Sequence, residues 1–217
     1  MKNVTKSFVE AFFHRHPDLI CIREDILKAA DLWTEVLGHG GKILLCGNGG
    51  SCADCDHIAG ELLKGFLLKR PLAEKFQAKM AEYGDFGVEI GKKLQHGLPA
   101  ISLCAHSAPI SAFANDVDGD LVFAQQVFAY GNPGDILVGI STSGNSKNVT
   151  AAMMVGNAKG LHTMALAGRD GGKIGQLAEV AVIAPQQETY RIQEDHLAIY
   201  HLLCAMVEYE LFDTRFS

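Results

Sequence analysis

Three short stretches of this sequence carry the side chains best suited to chemistry. The first, Cys46-Gly47-Asn48-Gly49-Gly50-Ser51, follows an apolar run and leads straight into a helical pattern. A strand that turns through glycines into a helix presents backbone N–H groups and the positive end of the helix dipole to a ligand. Asn48, Gly49, Gly50 and Ser51 are the candidates for that contact. The run is not a dinucleotide fingerprint, because the third glycine of G-x-G-x-x-G would fall on Cys52, and no lysine and hydroxyl pair of the Walker type follows. The second stretch, Ser141-Thr142-Ser143-Gly144-Asn145-Ser146, follows the apolar run ILVGI. One hydroxyl at a helix N-cap is ordinary. Four hydroxyls and a glycine after a buried strand suit an anion held by neutral donors.

The proton-transfer candidates come from two helices. His57 and Glu61 are four residues apart and share one helical face beside the glycine turn. A carboxylate there can act as a general base, or the pair can give two ligands to a divalent metal. Taken alone, such a pair is more often a solvated surface pair. In the final helical segment, Gln193 reads equally as an ordinary helix residue, and His201 sits on an apolar face where a histidine is usually a hydrogen-bonded core residue. Eight residues of helix advance about 12 Å, so Gln193 and His201 of one chain meet at a point only by leaning together. A site shared between subunits relieves that constraint.

The elements that must position these groups follow from the pattern. Short apolar runs at 42–46, 100–103, 135–140, 162–167 and 180–184 read as strands. Helical patterns at about 51–64, 108–130, 145–159 and 172–178 alternate with them. That alternation predicts an α/β fold with a doubly wound, parallel five-stranded sheet flanked by helices. Segments 4–15 and 18–38 precede the alternation and 190–212 follows it, as extra N- and C-terminal helices. Apolar residues in the last segment cover more than one stripe, which fits either burial between its own domain and another subunit or simple capping of its own core. Residues 66–98, rich in Lys and Glu with Gly84, Gly87 and Gly91, read as an insertion within a single 217-residue domain.

Composition removes several classes of function. A net charge of −6 with no basic block argues against binding a nucleic-acid backbone. No apolar run reaches the roughly 18 residues of a membrane span. The first residues lack the charged, apolar and small-residue segments of a signal peptide, so a cytoplasmic location is expected. Six scattered cysteines in that setting do not suggest a disulfide framework. Cys52 and Cys55 form a C-x-x-C without the second ligand pair of a structural zinc site.

CGNGGS, the helix ending H-x-x-x-E, Asn115-Asp116, ISTSGNSKNV, GRDGGK at 168–173 and RIQE-x-H-x4-H occur in one order over most of the chain. Together they resemble the sugar isomerase (SIS) domain family, and within it the sedoheptulose 7-phosphate (phosphoheptose) isomerases. The resemblance implies a homotetramer with a helical centre and active sites at subunit interfaces. It implies phosphate contacts at Ser51, Ser141, Thr142, Ser143 and Ser146, sugar contacts at Asn48, Asp116 and Gln193, and a catalytic pair, Glu61 and His201. It also implies a zinc ion, one per subunit, on His57, Glu61, Gln193 and His201. The expected activity is conversion of a ketose phosphate to an aldose phosphate through an enediol. The alternatives are a non-catalytic phosphosugar-binding or replication-initiator-associating protein and an enzyme acting on an amino-sugar phosphate. The chain departs from the family pattern where an ELTGR-like run gives an arginine soon after the helix glutamate. Here Leu62-Leu63-Lys64-Gly65 follows, with Lys69 and Arg70 further on, near the expected sugar pocket.

Overall fold

A computed structural model describes residues 1–213. Strands β1 (Ile43–Gly47), β2 (Ala100–Ser102), β3 (Ile136–Ser141), β4 (His162–Gly168) and β5 (Val180–Ala184) form one sheet in the order β2-β1-β3-β4-β5, parallel throughout. The five strands and their order along the chain are those expected from the apolar runs. Their side chains alternate between two cores, as the two-residue period of a strand demands. Ile43, Leu45, Ile136, Val138, Met164 and Leu166 enter one, while Leu44, Cys46, Leu137 and Ala165 enter the other. A sheet buried on both faces has no polar side, which is why these strands read as unbroken apolar runs.

The first core is covered by α1 (Asn3–Arg15), α2 (Arg23–Gly38), α3 (Gly50–Leu63) and the long C-terminal helix, and the second by helices that follow β2, β3 and β4. The segment expected as one helix over 18–38 begins as a 3-10 turn at Pro17–Ile22, where a proline opens the turn. Between β1 and β2 the chain makes the excursion expected as an insertion. It carries two short helices, α4 (Glu74–Ala81) and α5 (Asp85–Lys93), and closes at its base through a bridge between Pro71 and Gln95. After β2, the single helix expected over 108–130 is broken. Helix α6 (Ser107–Phe113) passes into a π-helical turn at Ala114–Asp118 and a 3-10 turn at Gly119–Leu121 before α7 (Val122–Tyr130). Asp118 accepts the Asp120 amide, a local bond that competes with the helical ladder and explains the break. Helices α8 (Lys147–Ala158) and α9 (Gly172–Leu177) follow β3 and β4.

The last helix, α10 (Thr189–Phe212), caps its own core along its C-terminal half. Every residue from 202 to 208 is buried, two full turns with no exposed side. Its own chain supplies the cover, through α1, α2 and α3. Glu208 is a fully buried carboxylate within that stretch, ion-paired to the equally buried Arg70 at 2.7 Å. It also accepts the backbone N–H groups of Phe66 at 2.8 Å, Leu67 at 2.6 Å and Leu68 at 2.8 Å. Arg70 in turn donates to the Leu62 carbonyl and lies over the Phe212 ring. Arg70 therefore does not face a sugar pocket, as its place in the sequence suggested. It locks the loop after α3 onto α10.

A buried ion pair of this kind is costly to break on one side, because the surviving charge stays desolvated. Glu208→Gln is therefore expected to lower unfolding stability by about 3 kcal/mol or more in urea titration. A change below about 1 kcal/mol would show that the pair is not the anchor described here.

Candidate active site

In a sheet of this strand order, the order of strands reverses between β1 and β3, and the crevice beyond their carboxyl ends is the place for a ligand. Both turns singled out in the sequence open there. They line one cavity of about 300 Å³, with Asn48, Gly49, Gly50 and Ser51 on one side, and Ser141, Thr142, Ser143 and Ser146 on the other. Thr189 and Gln193 of α10 complete the lining. All ten of these residues are uncharged, so any anion here is held by neutral donors.

The helices that start at the cavity have their N-termini free for that task. Gly49 precedes α3 and has no side chain to cap it. Ser146 precedes α8 but makes no capping bond; its hydroxyl pairs instead with Ser141 at 3.0 Å. Two helix N-termini whose N-cap residues make no side-chain cap thus converge on one space, each with a positive dipole end. The turns are held in place from outside. Asn48 and Asn148 exchange reciprocal amide bonds of 2.8 and 2.9 Å across the crevice. Gly144 has a positive φ of 66° and packs so closely on the Gly171 carbonyl that a Cβ would overlap it. That contact seats the loop on the GRDGGK segment, where Asn145 accepts the Lys173 amide.

Helices α3 and α10 both begin at the cavity and lie side by side. Gly50 touches the Gln193 amide so closely that a Cβ would overlap it. Seven residues further along each helix, the Tyr200 hydroxyl and His57 Nδ1 share a bond of 2.8 Å. This second contact gathers the proton-transfer candidates. His57 Nε2 stands 3.4 Å from Glu61 Oε1 and 3.4 Å from His201 Nε2. Lys64 pairs with the other Glu61 oxygen at 3.1 Å, and Phe66 stacks on the His201 ring with 5.6 Å between centroids.

Burial, with the neighbouring His57, holds His201 below the ordinary histidine value, so at neutral pH it is an uncharged imidazole. Burial raises Asp54 to about 6, against the opposing pull of a Tyr200 hydrogen bond and of His57. Between the Tyr200 hydroxyl and His57 Nδ1, the direction of the bond follows the imidazole tautomer.

The structure therefore unites Glu61, His201 and His57, and separately unites the two turns with Gln193. It does not bring Gln193 to the histidines: the four residues expected to share a zinc ion lie at two places along the helix pair. Asn115 and Asp116 bond to each other on the exposed π-helical turn and do not line the cavity. His196, conspicuous in the sequence motif, is a core residue that meets the Ala167 carbonyl at 3.1 Å, and burial lowers it to about 4. Sequence reasoning missed Thr189, Asn148, Tyr200 and Asp54. Asn148 lay within the quoted ISTSGNSKNV run, whereas the others are ordinary helix residues until α3 and α10 are seen together.

Residues 21–82 and 90–168 match the family model described as the SIS domain. The unmatched residues, 83–89, cover the turn after α4 and the first half of α5. A phosphoheptose isomerase from Helicobacter pylori is 41% identical over 187 residues, 86% of this chain and 84% of that protein. One from Aliarcobacter butzleri is 37% identical over 211 residues, 95% of this chain and 98% of that protein. The solved structure of a phosphoheptose isomerase from Neisseria gonorrhoeae superposes with a TM-score of 0.72 at 35% identity, covering 94% of this chain and 96% of that one. That from Francisella tularensis gives 0.73 at 29% identity, covering 95% and 98%.

Hydrogen bonds to a charged group contribute about 1.5–3 kcal/mol each. The double substitution Ser143→Ala and Ser146→Ala is therefore expected to weaken inorganic phosphate binding at least tenfold in isothermal titration. Unchanged binding in the folded double variant would remove this loop from the anion site.

Proposed function

The chain belongs to the SIS domain family, and from that premise we propose that it is a phosphoheptose isomerase, converting sedoheptulose 7-phosphate to D-glycero-D-manno-heptose 7-phosphate. The single observation that carries this reading is the separation of the two half-sites. Seven residues of helix, from Gly50 to His57 and from Gln193 to Tyr200, advance about 10 Å. An extended seven-carbon sugar with its phosphate on the last carbon has its reacting carbons about 10 Å from phosphorus, at roughly 1.3 Å of advance per carbon–carbon bond. The neutral-donor cavity takes the phosphate, and the carbonyl end then reaches Glu61.

Isomerisation moves one carbon-bound proton and one oxygen-bound proton. Glu61 removes the proton from the hydroxyl-bearing carbon beside the ketose carbonyl and returns it to the former carbonyl carbon, forming and collapsing an enediol. His201, neutral at working pH, carries protons between the two oxygens through its ring N–H. Lys64 holds one Glu61 oxygen and leaves the other to face the histidines, and Phe66 holds the imidazole plane. The loop that carries Phe66 is fixed by Glu208, so the buried ion pair supports the catalytic geometry.

Zinc belongs to the proposal as well. The sides of a tetrahedral site with N and O ligands measure about 3.3 Å. The two 3.4 Å separations around His57 Nε2 are close to that. As they stand, no three of the described His, Cys, Asp and Glu side chains are grouped so that they could hold a metal ion. His57, Glu61 and His201 would hold it, and Gln193 would join only from elsewhere. When bound, zinc polarises the substrate oxygens. We further propose a cytoplasmic homotetramer with shared sites. Among the described residues no helix is long and apolar enough to cross a membrane. His201 also lines an apolar groove of about 350 Å³ with Phe8, Phe12 and Leu202, a surface suited to cover by a second copy.

Glu61→Gln and His201→Asn should each lower turnover of sedoheptulose 7-phosphate at least about a hundredfold while phosphate binding survives. Metal content measured on the same samples separates a lost proton carrier from a lost ion. Near-native turnover without the Glu61 carboxylate would refute the mechanism. Light scattering of the active protein should give four chains per particle. A fully active monomer would sink the shared site.

A further inference from the structure

The two helices of the excursion between β1 and β2 bury no side chain. In α4 and α5 the only buried residues are Gly87 and Gly91, one turn apart on α5. They let α4 come close, since a Cβ on Gly87 would overlap the Met80 carbonyl. The two helices pack on each other, and among the described residues neither contributes to either hydrophobic core. Helices of eight and nine residues fall short of the roughly 12–15 at which an isolated helix becomes even marginal in water, so their order requires that an apolar face be covered. Such a face is present. Phe76, Met80 and Tyr83 recur at spacings of four and three along α4 and the turn after it, and Phe86 and Ile90 are four apart on α5. Tyr83 is 79% exposed, Phe86 72% and Phe76 46%. Met80, Tyr83, Phe86 and Ile90, with Gly87, line a groove of about 420 Å³.

The foot of this hairpin is held and its charges are unevenly placed. Pro71 bridges Gln95, Gln95 accepts the Gly65 amide at 2.9 Å, and the His96 amide donates to the Arg70 carbonyl at 2.7 Å. The hairpin is thus rooted in the loop that Glu208 anchors. Its tip carries Glu82 and Asp85, both exposed. Its foot carries Lys75, Lys92 and Lys93 against Glu74, and Lys93 pairs with Glu89 one turn before it. Eight residues of helix set tip and foot about 12 Å apart. That exceeds the Debye length of about 8 Å at physiological salt, so the two ends do little for each other within one hairpin.

We propose that the groove is closed by the same hairpin of a second copy, laid antiparallel about a twofold axis, so that each acidic tip meets the basic foot of the other. Such a contact is self-complementary, as a twofold interface between identical chains must be. A parallel pairing would set acid on acid at one end and base on base at the other. In the antiparallel pair the four helices form a small bundle with the apolar side chains of both copies inside it. The proposal rests on the homotetramer reading and adds to it a contact separate from the groove at His201. A closed tetramer of dihedral symmetry needs two different self-complementary surfaces, and the hairpin supplies the second.

Light scattering of charge-reversed proteins tests this contact. Glu82→Lys with Asp85→Lys makes tip and foot both basic, and Lys92→Glu with Lys93→Glu makes both acidic. The parent is expected to give four chains per particle and each reversed protein two. An equimolar mixture of the two reversed proteins should return to four, because opposite charges again face each other across the contact; a misfolded hairpin could not do so. Phe86→Ala, which alters no charge, should raise the concentration at which the four-chain particle half dissociates at least about tenfold, as loss of a central aromatic anchor does. Reversed proteins that keep the size of the parent, a mixture that stays at two chains, or a Phe86→Ala particle as stable as the parent would overturn the contact. A two-chain parent whose reversed forms fall to one chain would keep the hairpin contact and remove the tetramer, whereas a monomeric parent would remove both.

Discussion

The arrangement of this protein depends on one seam, the parallel contact of α3 with α10. Both helices start at the carboxyl edge of the sheet, and two contacts between them are separated by seven residues on each helix. Seven residues make nearly two turns, so a contact made at one end of such a seam recurs on the same face at the other. The first contact, Gly50 against Gln193, is close enough that a Cβ there would displace the Gln193 amide. The second, Tyr200 against His57, fixes a polar ring by a hydrogen bond. One end of the seam meets the cavity lined by the two turns and the other holds Glu61 and His201. The distance between the cavity and these side chains is therefore a property of helical rise.

Two further constraints keep the seam in register. The sheet order places β1 beside β3, so the turns that follow them must face each other, and the Asn48 and Asn148 amides bridge the gap. At the far end, the Glu208 carboxylate collects three backbone N–H groups and the Arg70 guanidinium in a fully buried setting. Such a pair costs desolvation, and it specifies one loop path. An acidic chain that must bind a phosphate also gains from neutral donors. Two helix N-termini and a set of hydroxyls attract the anion without adding lysines to a cavity that the sugar must also enter.

The sheet was legible in the sequence because strands buried on both faces leave uninterrupted apolar runs, as in ILVGI before Ser141. The lining of the cavity was legible for a related reason: hydroxyls and glycines concentrated after such a run fall together at the ends of neighbouring strands. The break at Ala114–Asp118 was not legible, since a short side chain to backbone bond at Asp118 decides it within an apolar pattern that suits a continuous helix. Nor was the role of Arg70, whose partner lies 138 positions away on α10. Tyr200 and Asp54 gain meaning only when α3 and α10 are laid together. Gln193 and His201 were read as meeting at a point only by leaning together; in the proposed function the same spacing matches the length of the substrate.

That spacing is tested most directly by a crystal structure of the Glu61→Gln variant with sedoheptulose 7-phosphate bound. The phosphate should lie among Ser51, Ser141, Ser143 and Ser146, and the first two sugar carbons should lie within about 3.5 Å of the substituted side chain at position 61, a near-attack distance. A phosphate bound outside that loop, or a sugar whose carbonyl end points away from position 61 and from His201 of every subunit, would contradict the account.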